Sequence, residues 1–287
     1  MKTSFLNLVI MLSITALTLS CSNTSKGNAS DGKLAVAVKT QQLSDNSSFT
    51  MSNGERCTIA SEASIDYPAS SSGASVDSLQ RLFAAYVLES GDTLSLQEAM
   101  RQVVANSMHQ YDFMNGPLSD AEAAEATQSA DLTSLHYATS TRITPIYNKN
   151  GVVTFERVDV VKKNDKVSSV THRYFSFDVQ SCSYIDINSM LREDAIPDVC
   201  QLLKAQLLKQ NNAKGNEQLN DLGYFNVENI TVTRNFYFDD AGVTWSYLPN
   251  ELAVEAVGEP RITIPYTDLE PYLCEESIIE RRGLKNE

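Results

Sequence analysis

Arg142-Ile143-Thr144-Pro145-Ile146-Tyr147, Asn148-Lys149-Asn150-Gly151 and Val152-Val153-Thr154-Phe155-Glu156-Arg157-Val158-Asp159-Val160-Val161 read in succession as a strand, a hairpin turn and a returning strand. The turn is signalled by Asn-Gly, which accepts the positive φ angles of a tight hairpin. Lys162-Lys163-Asn164-Asp165 is a second turn. Residues 167–179 then alternate Tyr174, Ser176 and Asp178 with Phe175, Phe177 and Val179, the period of a third strand. Three strands joined by tight turns form a meander, so the sheet is expected to be mostly antiparallel.

Before this meander, residues 58–68 read as a strand closed by Pro68. After a Ser-rich loop, Ser75 is placed to cap a helix with Val76, Leu79, Leu82, Phe83, Tyr86 and Val87 on one face. Gly91 ends it. Ser95 and Glu98 form a capping box for a second helix, whose apolar face is Ala99, Met100, Val103, Val104 and Met108. Gly116-Pro117 breaks the chain, and Ser119 with Glu122 caps a third, Ala-rich helix.

After the meander, Pro197 opens a helix with Val199, Cys200, Leu202, Leu203 and Leu207 on its apolar side. Residues 210–223 read as a polar loop. Residues 230–238 and 242–247 pair as a hairpin around Asp239-Asp240-Ala241-Gly242, followed by a strand at 261–265 and a short helix at 266–273. Helices and strands fall in blocks. The expected class is therefore α+β: an antiparallel sheet meander with helices packed on one face, in two closely packed subdomains at 55–172 and 173–275, with a polar tail at 276–287.

The chain has 287 residues, 23 Lys+Arg against 36 Asp+Glu and a formal charge of −13, which argues against a nucleic-acid partner. Its 42% hydrophobic content is enough for a core. Residues 1–20 read as a secretory signal: Lys2, then an apolar stretch too short and polar to span a membrane. It ends in Leu17-Thr18-Leu19-Ser20-Cys21, which resembles a bacterial lipobox, so Cys21 is the expected lipidation site and first mature residue. Residues 21–54, rich in Ser, Asn, Thr and Lys, read as a flexible tether. Ser22, in place of Asp, points to the outer membrane facing the periplasm. Cys57, Cys182, Cys200 and Cys274 remain, and their three possible pairings stay open.

Phe238-Asp239-Asp240-Ala241-Gly242 resembles the Thr-Phe-Asp-Asp-Gly motif of polysaccharide deacetylases. That chemistry needs a metal held by an Asp and two His. His109, His136 and His172 are far apart in sequence, and the simpler reading is a hairpin turn. There is no Gly-x-Ser-x-Gly elbow, Gly-rich phosphate loop or Cys-x-x-Cys pair, so no catalytic residue, metal or cofactor is expected. Tyr237, Trp245, Tyr247, Tyr266 and Tyr272 gather in the last third, either as sheet packing or as anchors for a ligand. From Asn250 onward nine acids face four bases, so the candidate binding residues are Trp245, Tyr247, Tyr237, Glu251 and Tyr266.

The stretch 235–247, with Pro249-Asn250-Glu251-Leu252-Ala253, Gly258 and Ile262-Thr263-Ile264-Pro265-Tyr266-Thr267-Asp268-Leu269, resembles the extracytoplasmic domain of RsiV anti-sigma factors. That domain also stands beside the catalytic domain of PdaC-type peptidoglycan deacetylases and in stand-alone Bacteroidetes lipoproteins. Tyr174-Phe175-Ser176-Phe177-Asp178 and 185–191 fit its preceding element. Ile65-Asp66-Tyr67-Pro68 fits a companion N-terminal domain. Lys163-Asn164-Asp165-Lys166-Val167 stands where members often carry a Gly-Gly-Ala-His motif. The resemblance to RsiV implies recognition of lysozyme, and that to PdaC an association with peptidoglycan. The expectation is a lipid-anchored, non-catalytic envelope module that binds a lysozyme-like cationic protein or peptidoglycan. The alternative is a glycan deacetylase or hydrolase using Asp239 and Asp240.

Overall fold

The computed structural model describes residues 35–50, 56–73, 75–91, 94–109 and 134–284. The signal, Cys21 and the Ala-rich helix after Gly116-Pro117 lie outside the described residues.

Six strands form one sheet in chain order: β1 (Val36–Thr50), β2 (Arg56–Ser71), β3 (Ser134–Lys149), β4 (Val152–Lys163), β5 (Lys166–Asp178) and β6 (Ser183–Tyr184). The β3–β4–β5 meander is built as its turns dictate. Asn150 and Gly151 both have positive φ, as do Asn164 and Asp165, so each hairpin turns in two residues. Lys149 then faces Val152, and Lys163 faces Lys166.

One neighbouring pair departs from the expected antiparallel pattern. β2 and β3 run parallel, with Ile65 opposite Ile143. A parallel pair needs a long crossover, and the helices lie in that connection: α1 (Val76–Leu82), running into a π-turn (Phe83–Val87), and α2 (Leu96–His109). The capping box of α2 forms as expected: Glu98 N donates to Ser95 Oγ, and Ser95 N donates to Glu98 Oε2. Ser75 precedes α1 but makes no side-chain cap. Both helices cover one sheet face, where Ile65, Phe83, Met100, Ile143, Phe155 and Phe177 form a dry core.

The tether expectation fails for Val36–Thr50, which pairs with β2 along its whole length. A polar composition hides this strand because an edge strand gains its backbone hydrogen bonds whatever its side chains are. Three of its apolar residues still face the core: Val36 is buried, and Val38 and Leu43 pack against it. Pro68 does not end β2. A register shift between Ala37 and Val38 on β1, opposite it, accommodates the missing N–H.

The second subdomain holds a small antiparallel sheet of β7 (Phe236–Phe238), β8 (Gly242–Ser246) and β9 (Arg261–Pro265). α3 (Ile196–Gln210), opened by Pro197, packs on β9. α4 (Asn216–Asp221), α5 (Tyr266–Leu269) and α6 (Ile278–Arg281) complete it. Trp245, Phe238, Leu203 and Ile262 lie at the centre of its core. Three boundaries need correction. A division at 172 cuts through β5, whose Phe177 belongs to the first core. The supposed polar tail forms α6, with Ile278, Ile279 and Leu284 buried in the second core. The strand expected from residue 230 is regular only at Phe236–Phe238, although Asn235 O still accepts from Ser246 N at 2.8 Å while its side chain reaches the other sheet.

Asn235 joins the subdomains. Its Oδ1 accepts from Tyr174 N at 2.9 Å and its Nδ2 donates to His172 O at 3.0 Å, so one amide side chain replaces a ladder rung. Glu259 Oε1 accepts from His172 N at 2.9 Å, and the Tyr174 and Tyr237 rings lie 4.5 Å apart. Leu203 is fully buried on the α3 stripe. Leu203→Ala is expected to destabilise the protein by about 2–5 kcal/mol in denaturant titration. A loss below about 0.5 kcal/mol would mean that α3 does not pack there.

Candidate functional site

The aromatic residues expected to meet a ligand are mostly interior. Trp245 lies on β8 with 0% exposure, against Phe236. Tyr247 is 2% exposed, and its hydroxyl donates to Thr231 O at 2.8 Å. Burial pushes that phenol well above its ordinary pKa. The Tyr266 hydroxyl donates to Asp239 O at 2.8 Å from a buried ring. Tyr237 is half-buried against Tyr174. All five residues of β8 are buried, so this strand has no wet side, and sequence alone does not show that both faces of so short a strand are covered. Of the five candidates only Glu251 is exposed, and its Oε2 accepts from Leu248 N, closing a turn.

Asp239 and Asp240 also have structural partners. Asp239 Oδ1 accepts from Ala241 N at 2.7 Å and Gly242 N at 3.0 Å, and its Oδ2 accepts from Thr244 Oγ1 at 3.3 Å. This is a side chain closing its own hairpin. Asp240 pairs with Lys149 at 2.6 Å. Among the described residues no group of three His, Cys, Asp or Glu is arranged to hold a metal ion. Cys57, Cys182, Cys200 and Cys274 are free thiols, and burial raises the pKa of Cys57, Cys182 and Cys274.

The polar chemistry gathers elsewhere, on the helix-covered face of the first sheet. Beyond Phe155 the inward positions of β4 are Arg157 and Asp159, flanked by Thr139 and Thr141 on β3 and by Arg173 on β5. They floor a cleft of about 390 Å³ walled by α2 and by Leu88 and Glu89. Arg157 Nε donates to Asp159 Oδ2 at 2.9 Å, and its Nη1 donates to Val87 O at 3.0 Å and Glu89 Oε2 at 3.3 Å. Arg173 Nη2 donates to Asp159 Oδ2 at 2.9 Å, and its Nη1 to Glu89 Oε1. Thr141 Oγ1 donates to Asp159 Oδ1 at 2.7 Å.

Burial alone would raise the Asp159 pKa. Arg157, with help from Arg173 and Thr141, outweighs that and holds the carboxyl below its ordinary range. Burial likewise opposes the charge on Arg173, but Asp159 and Glu89 prevail and raise its pKa. The sequence carries a signal for this cluster. Phe155, Arg157, Asp159 and Val161 share one face of an alternating strand, which places two charges where apolar residues belong.

Residues 188–267 match the family described as "Protein of unknown function (DUF3298)". No curated protein matches the chain. Among solved structures, the chain is similar to a member of the DUF3298 family from Bacteroides fragilis NCTC 9343. Identity is 18% and the TM-score 0.67, over 87% of this chain and 99% of that one. A DUF3298 family protein from Pseudomonas aeruginosa PAO1 matches at 12% identity and TM-score 0.47, over 83% of this chain and 95% of that one. The Bacteroides likeness extends the shared fold beyond the matched segment and across both subdomains.

Proposed function

We propose that this chain is a lipid-anchored, non-catalytic binding module of the bacterial cell envelope, held through Cys21 at the outer membrane and facing the periplasm. Its proposed partner is a cationic protein of lysozyme type. The observation that carries the reading is an exposed apolar patch with acidic edges. Leu222, Val254 and Val257 are 51%, 44% and 36% exposed. They are drawn together where Val254 N donates to Gly223 O at 2.9 Å. Asp221, Glu251 and Glu255 are exposed beside them in the chain. From residue 215 to 260 there are eight acids and one Arg, so a basic surface is the complementary one. This patch takes the role first given to Trp245 and Tyr247, whose burial withholds them from a partner.

Asp239 spends its oxygens on a turn and Asp240 on Lys149, which favours the non-catalytic reading over a deacetylase or hydrolase. Muropeptide analysis after incubation with peptidoglycan and divalent metals separates the two. Products that disappear in Asp239→Ala would make the protein an enzyme.

The test of the partner is calorimetry with lysozyme. Binding is expected at low salt and should weaken as the Debye length falls from about 10 Å at 0.1 M to about 3 Å at 1 M. Leu222→Ser with Val254→Ser should weaken it about tenfold or more, without loss of fold. No binding at low salt would reject lysozyme as the partner, and capture on insoluble peptidoglycan would then support the glycan reading. Cys21→Ala should leave the membrane fraction, whereas unchanged retention would remove the lipid anchor from the proposal.

A further inference from the structure

We infer that the cleft between α2 and the β3–β5 face is a binding site for a neutral saccharide, such as an N-acetylhexosamine unit of a glycan. The inference does not rest on the lysozyme reading above; it gives the glycan alternative named there a site. Its site lies in the other subdomain and does not depend on the cationic partner.

The argument starts from what the cleft interrupts. Toward one end of this sheet face, Ile143, Phe155 and Phe177 pack against the helices as an ordinary core. Toward the other end, Thr139, Arg157, Asp159 and Arg173 occupy the same inward positions. Apolar side chains there would hold α2 at least as well, because buried ion pairs seldom stabilise more than the hydrophobic residues that could replace them. A requirement other than packing therefore keeps the polar set.

Charge excludes an ionic ligand as the best fit. The guanidiniums of Arg157 and Arg173 are matched by the carboxylates of Asp159 and Glu89, so the cluster is neutral as a unit. An anion would have to displace Glu89, and a cation would have to displace an arginine. A neutral polyhydroxylated ligand displaces neither and can use the hydrogen-bonding capacity left over. That capacity is present. Thr139 is 8% exposed, and its Oγ1 has no hydrogen-bond partner. Arg173 Nε is buried without one as well. An unsatisfied buried hydroxyl is destabilising unless something outside the fold completes it.

Two more features suit the assignment. Glu89 holds a positive φ of 55°, unfavourable for a residue with a side chain, while bridging both arginines at the mouth of the cleft. Such strain concentrates at ligand sites. The volume of about 390 Å³ lies near the lower end of small-molecule sites, and Leu88 and Val103 offer an apolar wall to the C–H face of a sugar ring.

The experiment is calorimetry and chemical-shift titration of the detergent-purified full chain with N-acetylglucosamine and its β-1,4 disaccharide, with phosphate and acetate as ionic probes. Saccharide is expected to bind and the ions not to. Thr139→Val keeps the shape of the side chain and removes the unpartnered hydroxyl. It is expected to weaken saccharide binding about tenfold, while the thermal midpoint holds or rises. Asn106→Ala, at the rim on α2, should weaken binding without touching the ion-pair cluster. No saccharide binding, saccharide binding unchanged in Thr139→Val, or binding of the ions alone would each overturn the inference. Lysozyme binding measured on the same preparation keeps the two readings apart. Its presence without saccharide binding rejects only this cleft, and its absence with saccharide binding rejects only the protein partner.

Discussion

Gly242→Ala is expected to destabilise the second subdomain by about 3 kcal/mol or more. Gly242 opens β8 opposite Pro265 of β9. A Cβ there would lie 2.1 Å from Ile264 O, 2.8 Å from Ile264 C and 2.9 Å from Pro265 Cα. All three are backbone atoms of the paired strand, so no rotamer change relieves the contact. The same residue closes the Asp239 turn, with Gly242 N bonded to Asp239 Oδ1 at 3.0 Å and Asp239 N bonded to Gly242 O at 3.1 Å. Moving β8 away would break that turn too. Trp245, three residues on and fully buried, reports the transition by fluorescence in denaturant. Gly258→Ala is the control. Gly258 has φ 82° and ψ −145°, a conformation that residues with a Cβ avoid, but nothing lies within 4 Å of the added Cβ, so it should cost about 1–3 kcal/mol of backbone strain alone. If Gly242→Ala costs no more than Gly258→Ala, the close approach of β8 to β9 is wrong.

The parts of the fold that sequence discloses are those written in local chemistry. Asn150-Gly151 and Asn164-Asp165 fix two hairpins because few other residues accept two successive positive φ angles. Ser95 and Glu98 fix the start of α2 because each side chain satisfies the other's backbone N–H. What stayed hidden depends on partners distant in the chain. β1 has no apolar alternation to mark it, since its polar side chains face solvent and its stability comes from backbone pairing with β2. The parallel β2–β3 pair is set by where the helical crossover returns the chain, which no local pattern records. Trp245 and Tyr247 illustrate the same gap at the candidate site. An aromatic strand next to acids reads equally as a wet surface or a dry core, and the second core, within which every residue of β8 is buried, decides for the latter. Arg157 and Asp159 were legible as charges at inward strand positions. Their meaning required Arg173 and Glu89, 16 and 68 residues away from Arg157.

Asp178→Asn is expected to lower stability by about 3–5 kcal/mol at neutral pH and to remove part of the protein's sensitivity to acid. Asp178 ends β5 and is 1% exposed. Its Oδ1 accepts from Gln180 N at 3.0 Å and from Arg282, and Arg281 Nη1 stands 3.6 Å from its Oδ2. The carboxylate thereby ties the end of α6, in the second subdomain, to the first sheet. Asparagine can keep the bond to Gln180 but leaves the Arg282 guanidinium, with its side chain only 10% exposed, without a counter-ion. Burial by itself would raise the Asp178 pKa. The Arg282 hydrogen bond leads the opposing interactions, which prevail and hold the pKa below its ordinary value of 3.8. A carboxyl depressed by folding contributes stability that is complete above its unfolded pKa, and the contribution disappears as pH falls through the lower, folded one. Wild-type stability should therefore fall below about pH 4, and Asp178→Asn should show a shallower decline from a lower starting point. Asp159 is depressed in the same direction, so some acid sensitivity remains in the variant. Denaturant midpoints measured from pH 7 to pH 3 decide the matter. A variant within about 1 kcal/mol of wild type that shows the same acid slope would mean that Asp178 does not hold the two subdomains together.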